Sequence, residues 1–317
     1  MTKDTVLNRR QLTDTVIMIP PDQFGYNPQT APTNRIMTDE AKQKGIDPQI
    51  IRDQAVREFN GMVAKLREAD IEVLILDNRP GEITPDAVFP NNWFSHHVDG
   101  QLIIYPMLVP NRRAERQVEN LKLLLAEAQV RGTEIHDLSE LENEDLILEG
   151  TGSLVLDRVN KFAFAMESER TTKEAFKRWI SKLDYEGFFF HAFDKDNLPF
   201  YHTNVVMSIG AGFAVACPAA IKDEAERALF VEKLREHDRE LISISLEQVR
   251  EFCGNILHVN STSGKQKIIM SENAFNAFST EQLAALVKFG DLIAVEITTI
   301  ETNGGGSARC MLAEVFA

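Results

Sequence analysis

Near its C-terminal end the chain reads TNGGGSARC, residues 302–310, and Cys310 is the one thiol of three that sits among glycines. A thiol attacks as its thiolate, so it needs a base in reach or surroundings that lower its pKa. The stretch FYHTNVVMSIG, residues 200–210, places His202 at the edge of an apolar strand and makes it the candidate general base. A third group is Glu149 in LILEGTGSLVLD, a carboxylate within a hydrophobic strand beside small residues that let a ligand or a backbone come close. A buried glutamate is seldom left unpaired, so it meets a cation or a substrate group, or its pKa rises. Each residue also has a plain structural reading: a strand-edge histidine that only packs, a glutamate in an ion pair, a glycine-rich tail ending in an incidental cysteine. Against the last stands MLAEVF, an apolar strand directly after Cys310, which a loose tail would not carry.

The other thiols and imidazoles suggest no metal and no disulfide framework. Three cysteines are an odd number without CxxC spacing. Cys217 in FAVACPAA and Cys253 in VREFCGNI read as small buried hydrophobes. His96 and His97 in FSHHVDG precede a turn and read as solvent-exposed, with no further ligands at metal spacing. No metal or organic cofactor is expected.

The elements that must position these groups alternate regularly. TDTVIMIPP opens as a strand, FGYNPQTAPTNRIM follows as a polar loop, and residues 47–69 carry Ile51, Ala55, Phe59, Met62 and Leu66 at helical spacing before the strand IEVLIL. Strand candidates AVFPNNWFSHHV and QLIIYPML then precede a helix over about 112–130, and LILEGTGSLVLD and KFAFAM precede one over about 171–182. After these come FFFHAF, VVMSIGAGFAVACP, a helix at 221–236, LISI, a helix around 246–252, NILHVN, KQKIIM, a helix at 279–288 and the strand VEITT. The rhythm is ββαβ, about five times over, which points to radial or stacked α/β modules. In a radial arrangement, residues near the strand ends of different modules converge on the axis and the end of the chain closes the ring.

Composition bounds the partners. The chain has 48 acidic against 34 basic residues, a formal charge of −14 and a pI near 5.0, with no basic stripe for nucleic acid. No apolar run is long enough for a membrane span and the start lacks a signal-peptide core, so a cytoplasmic location is expected. At 44% hydrophobic residues the chain supports a large core, and no linker forces a split: residues 1–317 read as a single domain with a frayed start over 1–10. The partner expected is a small molecule. Oligomeric state is left open, a homo-oligomer included.

Taken together, PDAVFPNNWFS, LEGTGSLV, ESERTT, YHTNVV and GGGSARCM, in that order between residues 85 and 311, resemble the guanidine-modifying superfamily. Its members include arginine deiminases, dimethylarginine hydrolases, amidinotransferases, dihydrolases and citrulline ureidases. The resemblance implies a pentein, a five-bladed α/β-propeller of ββαβ modules with pseudo-fivefold symmetry. It also implies a nucleophile at Cys310, a general acid/base at His202 and an orienting or substrate-holding carboxylate at Glu149. Substrate-binding positions fall on Asp86, Asn91 and Asn92, on Arg112 in NRRAE, where a surface salt bridge is an equal reading, and on Arg170 in SERTT, suited to an α-carboxylate.

Two positions depart from the deiminase pattern. Asn92 and Asn204 stand where deiminases hold the guanidinium with aspartates. An amide cannot neutralise a buried cation, whereas it can meet a neutral ureido group with both of its halves. The expected reaction is hydrolysis of citrulline, or a related ureido acid, to ornithine, carbon dioxide and ammonia through a covalent cysteine adduct. Arginine deiminase, dihydrolase and amidinotransferase activities are the alternatives, and a catalytically silent pentein that only binds is the non-enzyme one.

Overall fold

The computed structural model describes residues 11–78, 81–130 and 134–316; the expected frayed segment 1–10 lies outside them. Fifteen strands among these residues form five three-stranded sheets. The first sheet contains β1 (Thr15–Met18) and β2 (Glu72–Ile75), parallel to each other and joined through the helix Pro48–Glu68. That helix buries Ile51, Ala55, Phe59, Met62, Val63 and Leu66, the stripe its apolar spacing requires. Asp47 caps its first turn and Pro48 occupies a position whose N–H needs no partner.

The next three sheets repeat one plan. A short antiparallel pair leads through a helix to a parallel third strand: β3 (Phe94–His96), β4 (Gln101–Ile104) and β5 (Glu134–Asp137); β6 (Leu154–Asp157), β7 (Phe162–Met166) and β8 (Glu186–Phe190); β9 (Met207–Ile209), β10 (Phe213–Ala216) and β11 (Glu240–Ser243). The fifth holds β12 (Leu257–Asn260), β13 (Gln266–Ser271) and β14 (Asp291–Val295). Finally β15 (Ala313–Val315) returns to pair antiparallel with β1. The end of the chain thus supplies the missing strand of the first sheet, as a closed radial array demands. The fold is the expected α/β pentein.

Several boundaries differ from the sequence expectation, mostly for one reason. The runs read as continuous strands are interrupted by a helical turn just ahead of each sheet's first strand: Pro90–Asn92, Gly150–Ser153 and Thr203–Val206. These turns are buried, so hydrophobic patterning does not separate them from the strand that follows. VEITT spans the end of β14, and the chain continues there into the helix Thr298–Gly304 instead of a strand. The expected helix over 112–130 is Val118–Glu127, preceded by the short turn Pro110–Arg113.

Two histidines are also corrected. His96 and His97 are buried, 0% and 4% exposed, because the hairpin that carries them faces neighbouring sheets. His97 Nε2 pairs with Ser95 Oγ at 2.9 Å, and its Nδ1 faces Arg158 at 3.4 Å. Cys217 and Cys253 are buried as expected.

Candidate active site

The helical turns bring the chemistry-bearing residues together. Asn92 ends one turn, Glu149 and His202 stand at the N-caps of the next two, Asn204 lies inside the third, and Cys310 sits in a turn three residues before β15. Neither Glu149 nor His202 lies within a strand, and Cys310 precedes the closing strand instead of lying on it. Adjacent turns are stitched to one another: Thr151 Oγ1 donates to the Asn91 carbonyl at 3.3 Å and Thr203 Oγ1 to the Ser153 carbonyl at 2.6 Å. Gly152 is where they come closest. A Cβ there would lie 2.3 Å from Asn92 Nδ2 and 2.8 Å from His202 Nδ1, so no larger residue fits.

Around this point every sequence-derived candidate is buried, none more than 4% exposed. His202 Nε2 meets Glu149 Oε2 at 2.9 Å. Burial pushes the Glu149 carboxyl upward, but Arg170, at 3.6 Å from its Oε2, the His202 hydrogen bond and Arg112 at 3.9 Å outweigh it and hold its pKa at about 2. Burial acts the other way on the imidazole and lowers His202 to about 4 in spite of the glutamate. The ionised carboxylate accepts the Nε2–H, so the neutral ring turns the lone pair of Nδ1 toward Gly152 and Asn92.

Cys310 lies beside the same turn. Its sulfur lies against both halves of two amides, Asn204 Nδ2 at 3.5 Å and Oδ1 at 3.9 Å, Asn255 Nδ2 at 3.3 Å and Oδ1 at 3.5 Å, so the S–H can donate to an oxygen while an N–H donates to the sulfur. Burial raises the thiol pKa, against the Ser307 backbone and Asn255, which lower it. Burial therefore favours the neutral form of both groups: a thiol at Cys310, held against Asn204, and a neutral imidazole at His202 two residues earlier in the same turn. Asn255 carries no sequence expectation above. The signal was present in FCGNIL, where a small–Asn pair precedes an apolar strand as NN precedes WFS and TN precedes VVM.

Arg112 is not a surface residue. It is 2% exposed, its Nε and NH2 engage both oxygens of Glu115 at 2.9 Å, and its NH1 donates to Asn92 Oδ1 at 2.7 Å. Burial lifts Glu115 to about 7, even with Arg112 lowering it. A guanidinium offers only donors, so Arg112 fixes which way Asn92 points: oxygen toward Arg112, Nδ2 away from it. That Nδ2 has no hydrogen-bond partner.

Asp86 shows the complementary case. Its Oδ2 accepts from Asn27 at 2.7 Å and Thr30 at 2.9 Å, and its Oδ1 has no partner. Burial, only partly offset by Arg112, raises its pKa. Asn91 is fully buried with both amide atoms unpartnered. Arg170 binds the segment over the site through Thr30 O at 2.9 Å and Thr33 Oγ1 at 2.7 Å, and its guanidinium lies over the Tyr201 ring. The same segment reaches the glycines: Asn34 Nδ2 donates to the Gly305 carbonyl at 3.1 Å, and Gly305 adopts φ +63°, a conformation glycine takes without strain. Buried donors and acceptors left unmatched are costly, so Asn92 Nδ2, which shares the space at Gly152 with His202 Nδ1, and Asp86 Oδ1 are candidate contacts for a polar ligand. Among the described residues no group of His, Cys, Asp and Glu is arranged to hold a metal ion, and no helix is long and apolar enough to cross a membrane.

Comparison with known proteins agrees with this architecture. The N-terminal domain of ArgZ, described as an arginine dihydrolase from the ornithine–ammonia cycle in Cyanobacteria, superposes with a TM-score of 0.70 at 19% identity, covering 96% of this chain and 99% of that one. AgrE, solved with ornithine and NAD+, gives 0.70 at 21% identity over 94% of this chain, which spans 38% of AgrE. A dimethylarginine dimethylaminohydrolase adduct gives 0.61 at 16% identity, covering 95% of this chain and 99% of that one. At these identities the likeness establishes the fold. No curated protein matches by sequence. Residues 20–317 match the family model described as N,N dimethylarginine dimethylhydrolase, eukaryotic, and the chain therefore belongs to that family, within the guanidine-modifying pentein superfamily.

Proposed function

We propose that the chain is a cysteine-dependent hydrolase that cleaves citrulline to ornithine, carbon dioxide and ammonia. Family membership supports the coarser half of this reading, hydrolysis of a C–N bond at the guanidino end of an arginine derivative. The choice of a ureido group rests on one observation: Arg112 claims Asn92 Oδ1, so Asn92 turns a donor toward the ligand. A ureido oxygen accepts that hydrogen bond, whereas a guanidinium has no acceptor to offer and would face the N–H unmatched. Asp86 Oδ1, an acceptor without a partner, suits an ammonium or amide N–H of the same ligand.

In this reading Cys310 loses its proton to His202 as its sulfur attacks the ureido carbon. The C–N bond to the ornithine side breaks, and the protonated imidazole delivers its proton to the departing amine. A thiocarbamate, Cys–S–CO–NH2, remains on the chain. His202, neutral again and held by Glu149, takes a proton from water as it attacks this carbonyl, which frees the thiol and releases carbamate that breaks down to carbon dioxide and ammonia. Arg170 receives the substrate's α-carboxylate.

Arginine is the second reading. Three buried carboxylates, Asp86, Glu115 and Glu149, face only two arginines, Arg112 and Arg170, which leaves room for a further cation. Incubation of the purified protein with citrulline, arginine and dimethylarginine in turn, with assay of ornithine, citrulline and ammonia, separates the readings. Ornithine from citrulline alone is the expected result, and Cys310→Ala removes it. Citrulline formed from arginine or dimethylarginine without ornithine from citrulline overturns the proposal.

A further inference from the structure

Burial raises the thiol pKa of Cys310 and Arg309, next to it in the chain, lowers it electrostatically, but the Arg309 guanidinium is bound to Glu314 and the Leu312 carbonyl. The sulfur itself is met from two sides by the side-chain amides of Asn204 and Asn255. Asn255 is fully buried and its Nδ2 serves two acceptors at once, Cys310 Sγ at 3.3 Å and the Asn204 carbonyl at 2.9 Å. The backbone is arranged for this contact. Phe252 takes φ +60°, Asn255 N–H closes a turn on the Phe252 carbonyl at 2.8 Å, and a Cβ on Gly254 would lie 2.3 Å from the Val205 carbonyl. The segment is thus pressed against the helical turn that carries Asn204 and follows His202.

Its place in the fold repeats a pattern. Asn92, Gly152, Asn204 and Cys310 each stand two or three residues ahead of the first strand of a sheet, and Asn255 stands two ahead of β12. Four of the five equivalent positions therefore belong to the site described above, and Asn255 is the fifth.

We infer that Asn255 is a working member of the site: its amide holds the sulfur of Cys310 in register with the His202 turn and, paired with Asn204, donates to the thiolate as it forms. Two neutral donors stabilise an anion without drawing it into an ion pair, so the thiolate stays reactive and the pocket gains no positive charge next to a neutral substrate group. This inference rests on Cys310 being the nucleophile and is independent of whether the substrate is citrulline or arginine.

The test follows the alkylation of Cys310 by iodoacetamide against pH in the full chain, read peptide by peptide so that Cys217 and Cys253 do not contribute. Asn255→Asp keeps the shape and replaces the donor with a charged acceptor. The expected result is a rise of the Cys310 pKa by roughly one unit or more and a fall in kcat of roughly 10- to 100-fold with KM within about threefold. Asn255→Ser, smaller and still a donor, is expected to recover part of both. A Cys310 profile that superimposes on wild type in folded Asn255→Asp, or in Asn255→Ser should the aspartate variant fail to fold, overturns the inference. Because alkylation needs no substrate, a failure to hydrolyse citrulline leaves this readout intact.

Discussion

The chain has two buried ionic clusters built from the same residue types. In one, Glu149 meets His202, Arg170 and Arg112, with Asp86 and Glu115 close by. In the other, Glu314 Oε2 takes Arg309 at 2.7 Å and Arg158 at 3.3 Å around a cavity of about 30 Å³ that Asn204 also lines. Both glutamates are held below the usual carboxylate range by paired arginines that overcome their burial. The second cluster closes on itself: Arg309 NH1 ends on the Leu312 carbonyl at 2.7 Å and Arg158 covers the Phe316 ring at 4.5 Å. The first leaves Asp86 Oδ1 and Asn92 Nδ2 unspent. Burial and ion pairing are therefore common to both clusters; Ser208 Oγ on the cavity of the second also lacks a partner, and what sets the candidate site apart is that its unspent atoms belong to a carboxylate and an amide, groups suited to hold a ligand.

The sharpest way to break this contrast is to make the same change in both clusters. Glu149→Gln should lower kcat by roughly 10³-fold, since the imidazole loses the partner that sets its tautomer. Glu314→Gln should leave kcat within about threefold and cost stability, on the order of 3 kcal/mol, by stranding two arginines. Steady-state kinetics and urea unfolding of the two variants decide it. Equal losses of kcat in both would erase the distinction.

A smaller effect sharpens the substrate side. Asn92→Asp replaces the outward donor with an acceptor and supplies charge for a cation, so the ratio of kcat/KM for citrulline over arginine should fall roughly 100-fold. An unchanged ratio would remove Asn92 from the recognition of the reacting group.

A last test concerns pH. His96, His202 and His258 have folded pKa values of about 4 against 6.5 for an exposed imidazole, burial being the main cause. Above pH 6.5 both folded and unfolded chains carry them neutral; between 6.5 and 4 the unfolded chain binds protons that the native one refuses, so stability falls as the pH falls. Glu115, raised to about 7, acts in the opposite sense over part of this window, because the native chain holds a proton the unfolded one has lost. His97, which burial also holds well below the usual value, adds to the fall, while Glu58, Asp86 and Glu301, raised by burial, oppose it; the expected net result is a fall in unfolding free energy of a few kcal/mol between roughly pH 7 and pH 4.5 in urea titrations.

Much of this was legible in the chain itself. The ββαβ rhythm and the closing role of the end follow from alternating apolar runs, and Glu149 and His202 do meet. What patterning missed were the buried helical turns, because a turn that faces the axis is as apolar as the strand it precedes. For that reason His202 reads as a strand residue. His96 and His97 look polar beside VDG, yet their burial depends on neighbouring sheets that local sequence does not encode. Asn255 opens NILHVN, which reads as a strand, and only the packing of Gly254 against Val205 across 49 positions explains how it is brought to the sulfur.

The pairing of β15 with β1 also orders events in time. A growing polypeptide has made its histidine and its glutamate long before the thiol exists, and the first sheet waits for a partner throughout. In the proposed mechanism the attacking thiol of Cys310 sits three residues ahead of the strand that completes the first sheet, so a nick that frees β15 would disturb the proposed nucleophile and the sheet together.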